Sequence, residues 1–178
     1  LKYAYRAYKI SEETGNLYGK ADASRMIGLG YSGQSDFDKA LDFYFLALND
    51  FRKGGYEDKV GVVLTSIGIV YRKKNDFEKA LSYYLESLEI IKKGGDSTRI
   101  ASAYTNVGII YKILGDYDKA LDYHETSLNI NRRNANRKGI PYALGNIALI
   151  YQELKEYDKA ILYLKEAKKL FEEFNYKN

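Results

Sequence analysis

The sequence predicts an all-α protein built from a repeated pair of helices, and two motifs that recur along the chain carry this prediction. The first motif is an aromatic residue followed by an acidic residue, Lys, Ala and an aliphatic residue, and its copies start at Phe37, Phe77, Tyr117 and Tyr157. The second motif is an aliphatic residue followed directly by a small residue, with a Tyr three positions later, as in Ile67, Gly68 and Tyr71. Each motif occurs four times at a spacing of 40 residues, and self-similarity at a fixed period is the signature of repeat architectures.

Both halves of each repeat have the pattern of an amphipathic helix. In the first half, residues of the buried face recur at positions i, i+3, i+4 and i+7 of a helix, namely Leu64, Ile67, Gly68 and Tyr71. In the second half a similar spacing is found at Ala80, Tyr84, Ser87, Leu88 and Ile91. Pro141 is expected in the first turn of its helix, where a missing N–H is harmless.

The short breaks between these patterns contain residues that end and begin helices. Asn or Gly, as in Asn75-Asp76 and Gly115-Asp116, can adopt the left-handed conformation that ends a helix. The Asp that follows can accept hydrogen bonds from the first amides of the next helix. Gly54-Gly55 and Gly94-Gly95 are expected to end the second helices in the same way.

We expect one repeat domain over residues 1–178, divided at the period of 40 residues. Residues 1–20 are then the second helix of a repeat whose first half is missing, because Leu1 aligns with Leu41 and Ala7 aligns with Ala47. The complete repeats are expected at residues 21–59, 60–99, 100–139 and 140–178.

Small residues and tyrosines recur at fixed positions for a reason of packing. Glycine inside a helix costs about 1 kcal/mol relative to alanine, so its repetition at one position predicts the close approach of a neighbouring helix. The alanine of the first motif is the matching small residue on that helix, and the tyrosine fills the space beside the contact with its ring buried. These signature residues are Gly28, Tyr31, Ala40, Gly68, Tyr71, Ala80, Gly108, Tyr111, Ala120, Ala148, Tyr151 and Ala160.

With these motifs the sequence resembles the tetratricopeptide repeat (TPR) family over nearly its whole length. The family pattern is read here at Leu64, Ile67, Gly68, Tyr71, Ala80, Tyr84 and Ser87. The period of 40 residues exceeds the about 34 residues common in the family, and the closing proline is absent. Both departures favour the longer-helix type, similar to kinesin light chain repeats and bacterial signal-transduction regions. The resemblance implies a right-handed superhelix, an α-solenoid of antiparallel helix pairs whose first helices line a concave groove that binds a peptide, a protein segment or another domain of the same polypeptide.

Helical geometry indicates which residues of the first helices face away from the buried stripe. An apolar row lies there, at Leu29, Ile69, Ile109 and Leu149, and it is either packing between neighbouring first helices or the floor of a groove. The predicted peptide-binding groove consists of Arg25, Leu29, Ser66, Ile69, Arg72, Lys73, Thr105, Asn106, Ile109, Lys112, Tyr142, Asn146, Leu149 and Gln152.

Two kinds of polar residue in this set indicate the type of ligand. By resemblance to kinesin-light-chain-like repeats, Asn106 and Asn146 would hydrogen-bond the backbone of an extended peptide; the alternative is that they are solvated or locally bonded. Arg25, Arg72 and Lys112 lie along one flank and favour a partner with acidic side chains or a free carboxylate.

The composition argues against several other functions. The chain has no Cys and one His among 178 residues, and we find no nucleophile–base pair, metal-ligand set or phosphate-binding loop. We therefore expect no catalysis, no cofactor and no metal. The net charge is only +4, and the basic pairs Lys92-Lys93 and Arg132-Arg133 are better explained as helix C-termini than as a nucleic-acid site. No apolar run is long enough to cross a membrane.

The leading functional hypothesis is a non-enzymatic protein-interaction module, a fragment of a larger bacterial signalling or regulatory protein. The alternative is a sensory or assembly domain that self-associates or docks another domain of its own chain. A third hypothesis is a regulatory repeat that changes its superhelical pitch when it binds a signal peptide. The compartment stays open between the cytoplasm, which we favour, and the periplasm.

Overall fold

The computed structural model describes residues 1–175, and within this range it consists of α-helices joined by short turns. The nine helices in this range are α1 (Lys2–Glu13), α2 (Leu17–Gly33), α3 (Phe37–Lys53), α4 (Glu57–Lys73), α5 (Phe77–Lys93), α6 (Ser97–Ile113), α7 (Tyr117–Arg133), α8 (Gly139–Glu153) and α9 (Tyr157–Asn175). The prediction of an all-α helical repeat fold is confirmed. The chain divides into two compact units, one spanning Leu1–Gly94 with α1 to α5, and one from Gly95 onward with α6 to α9. We call them unit 1 and unit 2.

The helix bounds correct the predicted repeat boundaries by a few residues. The boundaries before residues 21, 60, 100 and 140 fall inside α2, α4, α6 and α8, and α1 ends at Glu13 rather than at residue 20. The predicted boundaries follow the apolar pattern, which begins inside each first helix, whereas the helix itself begins directly after the turn. Residues 176–178 of the last predicted repeat lie outside the described residues, and the grouping of all repeats into one solenoid domain stays a prediction.

A residue with positive φ ends the helix at each of the eight turns between these helices. The eight residues are spaced by 20, with φ between 49° and 79°, and they are Gly15, Ser35, Gly55, Asn75, Gly95, Gly115, Ala135 and Lys155. The expected left-handed conformations in the Asn75, Gly115, Gly55 and Gly94-Gly95 turns are therefore confirmed. Three of the eight positions are occupied by Ser, Ala and Lys, for which this conformation is unfavourable because of the Cβ atom.

Lys155→Gly is expected to stabilise the protein by about 0.5–1 kcal/mol, because the strain of a Cβ atom at φ 61° exceeds the entropy that glycine adds to the unfolded chain. Urea unfolding of the two proteins measures the difference. Gly115→Ala, at φ 79°, is the matched control and is expected to destabilise by about 1 kcal/mol. A loss of stability in Lys155→Gly would contradict the prediction.

Aspartates cap the N-termini of α3, α5 and α7, as the sequence predicts. The carboxylates of Asp36, Asp76 and Asp116 accept hydrogen bonds from the backbone N–H three residues later, at 3.3, 3.1 and 3.2 Å. The ammonium of that third residue, a lysine in each case, also donates to the same carboxylate. This donation lowers the pKa of each aspartate below its ordinary value.

The glycines at the centre of the first helices are in close contact with the second helix of the same repeat, but the group they face differs from the prediction. A Cβ atom on Gly28, Gly68 or Gly108 would lie 2.8, 2.6 or 2.9 Å from a ring atom of Tyr44, Tyr84 or His124, respectively. The buried alanines Ala40, Ala80 and Ala120 are therefore not the main contact, although the carbonyl oxygen of Ala40 is also near Gly28. Each glycine leaves room for a buried ring.

The signature tyrosines are half-buried rather than buried as predicted, because their rings stack near the surface. Each stacks on the aromatic residue twelve positions later, with ring centroids 5.4–5.8 Å apart in Tyr31–Phe43, Tyr71–Tyr83, Tyr111–Tyr123 and Tyr151–Tyr163. A lysine ammonium lies 5.0–5.3 Å from each tyrosine ring, from Lys39, Lys79, Lys119 and Lys159. This repeated cation–π contact joins the two helices of each repeat.

Candidate functional site

The predicted groove residues lie on the first helices of both units, and we call them the first-helix face of each unit. In unit 1 this face consists of Arg25, Leu29, Ser66, Ile69, Arg72 and Lys73, on α2 and α4. Leu29 is 52% exposed and Ile69 is half-buried, so an apolar surface is accessible there.

Polar side chains on this face of unit 1 already interact with other groups of the protein. The guanidinium of Arg25 donates to Asp22 Oδ1 at 2.8 and 2.9 Å, so its charge is compensated. Ser66 Oγ donates to the carbonyl oxygen of Val62 at 3.1 Å. Lys73 is exposed, with its ammonium 5.8 Å from the centre of the Phe37 ring.

Arg72 is half-buried beside the core of unit 1. Burial raises the pKa of Tyr84, and a hydrogen bond from Arg72 together with its charge opposes that rise. Of the two predicted flank cations in unit 1, one is therefore paired and the other contacts a buried phenol. A ligand would find less free positive charge here than the sequence suggests.

The first-helix face of unit 2 carries two asparagines on helices that contact each other. Asn106 on α6 and Asn146 on α8 are both half-buried. The Nδ2 atom of Asn146 is buried and has no hydrogen-bond partner among the described residues. Beside them, Ile109 is half-buried and Leu149 is 44% exposed. This unit therefore presents amide groups next to an apolar surface.

Other members of the set at this face of unit 2 differ in accessibility. Tyr142 and Gln152 are exposed, and Lys112 is half-buried. Thr105 is buried, which corrects its predicted place on the open face. Its hydroxyl lies 2.8 Å from Ser127 Oγ and donates to the carbonyl oxygen of Ala101. It lies at the edge of the buried stripe, where α7 covers it, and its hydroxyl joins α6 to α7.

A cavity of about 250 Å³ adjoins this face in unit 2. It is lined by Ser102, Thr105, Asn106, Asn131, Asn136, Gly139 and Tyr142. The predicted groove does not include Asn131 and Asn136, because they lie in α7 and in the turn that follows it, outside the first helices. A signal was present, since Asn131 occupies the position that Phe51 and Ile91 hold in the preceding repeats.

His124 is a core residue at the position that Tyr44 and Tyr84 hold in the preceding repeats. It is fully buried, and neither ring nitrogen has a hydrogen-bond partner among the described residues. Burial, assisted by the charge of Lys112, lowers the pKa of His124 to about 4. Its ring therefore packs as a neutral aromatic group in the place of Tyr44 and Tyr84.

The basic pairs lie where helix ends were expected. Lys92 and Lys93 are in the last turn of α5, and Arg132 and Arg133 are in the last turn of α7. Lys92 donates to Glu89 at 3.0 Å and Arg132 donates to Glu166 at 2.6 Å. One cation of each pair is thus engaged with an acidic side chain, and all four lie at the negative end of a helix.

Metal binding and membrane crossing find no structural support in the described part of the chain. It contains no group of three or more His, Asp or Glu side chains that could hold a metal ion. Within residues 1–175, no helix has both the length and the apolar character that a membrane crossing requires.

The uniform helices, the turns spaced by 20 residues and the exposed first-helix faces define an all-α helical repeat protein. Two models described as tetratricopeptide repeat match residues 63–98 and 99–173, together more than half of the sequence. The chain belongs to the tetratricopeptide repeat family, whose members are in general non-catalytic protein-interaction scaffolds. No curated protein matches the chain significantly.

Solved structures with the same fold cover nearly the whole chain. BtubC (BKLC) from P. vanneervenii is 26% identical, with a TM-score of 0.82, over 90% of this chain and 66% of that one. The STAND protein PH0952 from Pyrococcus horikoshii, which has a tetratricopeptide repeat sensor, is 25% identical, with a TM-score of 0.80, over 93% of this chain and 26% of that one. A Rap protein complexed with competence and sporulation factor is 24% identical, with a TM-score of 0.79, over 94% of this chain and 48% of that one. At this level of identity the similarity shows the fold alone. The chain spans less than two thirds of the length of each of these proteins.

Proposed function

We propose that this chain is a non-enzymatic module that binds an extended peptide or protein segment on its first-helix face, within a larger bacterial signalling or regulatory protein. The observation that carries the proposal is the buried Nδ2 of Asn146, which lacks a hydrogen-bond partner among the described residues. A buried polar group without a hydrogen-bond partner lowers the stability of the protein by about 1–3 kcal/mol. A peptide carbonyl that accepts a hydrogen bond from this atom would remove that penalty.

The surroundings of Asn146 suit a peptide backbone better than other ligands. An asparagine side chain both donates and accepts, as a peptide unit does, and Asn106 supplies a second amide on the neighbouring helix α6. Leu149 and Ile109 offer apolar contacts for the side chains of the ligand. The equivalent positions in unit 1 hold Met26 and Ser66, so we place the backbone recognition in unit 2.

Two finer parts of the proposal have separate support. A partner with acidic groups would find Lys112 on the first-helix face of unit 2, whereas in unit 1 Arg25 is paired with Asp22 and Arg72 contacts Tyr84. The signalling role is supported by the likeness to PH0952, which is named as a signal-transduction ATPase with a repeat sensor.

Replacing Asn106 and Asn146 together by alanine is expected to weaken the binding of peptides selected from a random phage-displayed library by about 10–100-fold, the effect of losing two hydrogen bonds. The free energy of unfolding is not expected to fall, because Asn146 Nδ2 makes no hydrogen bond within the described residues and its removal relieves the cost of an unpaired buried group. Fluorescence anisotropy and urea unfolding measure the two quantities.

Asn129→Ala, an exposed substitution on α7, is the matched control and is expected to leave binding unchanged. The asparagines would have a structural role if the double variant lost as much free energy of unfolding as it lost free energy of binding. Failure of the wild-type protein to select any peptide would contradict the proposed function.

A sensory or assembly domain that self-associates is the second candidate, and the surface of α9 favours it. Leu162, Leu164 and Phe171 are 67%, 50% and 59% exposed. The residues that precede Leu164 by 80 and by 120 positions are the buried Tyr84 and Tyr44. Light scattering over a wide concentration series tests this candidate, and a monomer at every concentration would contradict it.

A further inference from the structure

Two residues that line the cavity beside the first-helix face of unit 2 depart from the two preceding repeats. Asn131 stands where α3 and α5 carry the buried Phe51 and Ile91, and Gly139 stands where α4 and α6 carry Lys59 and Arg99. A Cβ atom on Gly139 would lie only 2.2 Å from Asn131 Oδ1. The glycine therefore makes room for the asparagine side chain, and an amide takes the place of the apolar side chain found at Phe51 and Ile91.

The amide groups that line this cavity retain hydrogen-bonding capacity. Asn131 is 5% exposed; its Oδ1 accepts from Asn136 Nδ2 at 2.8 Å, and its Nδ2 makes only a long contact of 3.4 Å to Ser127 Oγ. Each NH₂ group has two hydrogens, so Asn131 and Asn136 each keep one for a ligand. Asn106 contributes a half-buried amide for which we find no hydrogen bond to another described residue.

The cavity is unsuited to an anion. None of its seven lining residues is charged. The first amides of α8 are occupied, because Gly139 N donates to Asn136 Oδ1 at 3.1 Å and Ile140 N donates to the Asn136 carbonyl oxygen at 3.1 Å. Pro141 has no N–H. A carboxylate or phosphate would lose its hydration here without gaining a compensating charge.

Apolar groups and large cofactors are also excluded. An apolar side chain would leave the amides of Asn131 and Asn136 cut off from water without new partners. The volume of about 250 Å³ lies below the roughly 300–1,000 Å³ of sites for drug-sized molecules. A single neutral side chain that both donates and accepts hydrogen bonds fits these limits.

We propose that this cavity binds the side-chain carboxamide of a Gln or Asn in the peptide on the first-helix face, an inference that rests on the proposed function. The carboxamide oxygen accepts from the free NH₂ hydrogens of Asn131 and Asn136. Its own NH₂ group donates to Asn106 Oδ1. Ser102 and Tyr142, which are exposed, form the rim through which the side chain enters.

The test uses a small probe that does not depend on the rest of the peptide. The full chain, labelled with ¹⁵N, is titrated with N-acetyl-glutamine methylamide and, separately, with the glutamate and leucine analogues. The side-chain NH₂ resonances of Asn131 and Asn136 are expected to shift with the glutamine probe, and to shift several-fold less with the other two at the same concentration. Absent shifts, or equal shifts with glutamate or leucine, would overturn the proposal.

Two variants locate the binding. Asn131→Ile installs the residue found at Ile91 and is expected to abolish the response of Asn136 to the glutamine probe. Ser102→Phe blocks the rim from an exposed position, so it tests the same point without changing the interior. Persistence of the response in either folded variant overturns the assignment.

The outcome is separable from that of the proposed function. Peptides that bind to the first-helix face while the glutamine probe causes no shift would contradict the cavity proposal alone. A response to the probe in a protein that selects no peptide would contradict the peptide-binding function and the peptide origin of the carboxamide, while the carboxamide specificity of the cavity would stand.

Discussion

Acidification from pH 6.5 to pH 4 is expected to destabilise the wild-type protein by about 3 kcal/mol through His124, and His124→Tyr is expected to remove this loss. The tyrosine has a precedent at Tyr44 and Tyr84, each of which packs against a glycine of the first helix in the same way as His124 packs against Gly108. The fold should therefore accept it. Urea unfolding at a series of pH values measures the stability of both proteins.

The direction in which stability changes with pH follows from the protonation of His124 in the folded and unfolded chain. Burial, and then the charge of Lys112, lowers the pKa of His124 in the folded protein from 6.5 to about 4, so between these values the unfolded chain binds a proton that the folded chain does not. The stabilising contribution is complete above pH 6.5 and is lost as the pH falls toward 4. Because His124 is the only histidine in the chain, few other groups titrate in the upper part of this window.

A complementary variant separates this effect from general acid denaturation. Tyr84→His is expected to give unit 1 the same acid sensitivity, since Tyr84 is equally buried against Gly68. The paired aspartates such as Asp36 have a pKa below the ordinary value, so their contribution is lost only at lower pH. An unchanged slope between pH 6.5 and 4.5 in His124→Tyr would contradict the assignment to His124.

Local features of the fold were predictable from the sequence because each depends on a few adjacent residues. Asp76 caps α5 through an atom three residues away, and Asn75 bends the chain through its own φ angle. The glycine at Gly68 indicated a close contact because glycine is otherwise unfavourable inside a helix. Periodicity shows which face of a helix is buried, but it does not show which side chains meet across two helices. For this reason the sequence predicts Ala80, rather than Tyr84, as the partner of Gly68.

The candidate site was predictable only in part, for the same reason. Asn106 and Asn146 were found because they lie on the open face of one helix each. The prediction that Thr105 is accessible is wrong because its exposure depends on how α7 covers α6. The cavity depends on Asn131 and Gly139, which belong to different helices. A polar residue at an apolar position of the repeat was the available signal, and comparing second helices with one another reveals it.

Phe51→Ala is expected to destabilise unit 1 by about 3–5 kcal/mol, the usual result of removing a buried aromatic ring and leaving a cavity. Phe51 has no solvent exposure, and its ring meets those of Tyr18 and Tyr56 edge-on, with centroids 5.8 and 6.1 Å apart. Aromatic pairs of this kind add about 0.5–1.5 kcal/mol each to the burial energy. Urea unfolding followed by circular dichroism gives the change.

Phe171→Ala is the matched control, because Phe171 holds the same position in α9 but is 59% exposed. At low protein concentration Phe171→Ala is expected to lower the free energy of unfolding by less than about 1 kcal/mol, as surface substitutions do. Equal losses from the two substitutions would contradict the burial argument. The comparison also bears on the second candidate function. If copies of the chain associate through α9, Phe171 is covered in the assembly, and the cost of Phe171→Ala rises with protein concentration while that of Phe51→Ala does not.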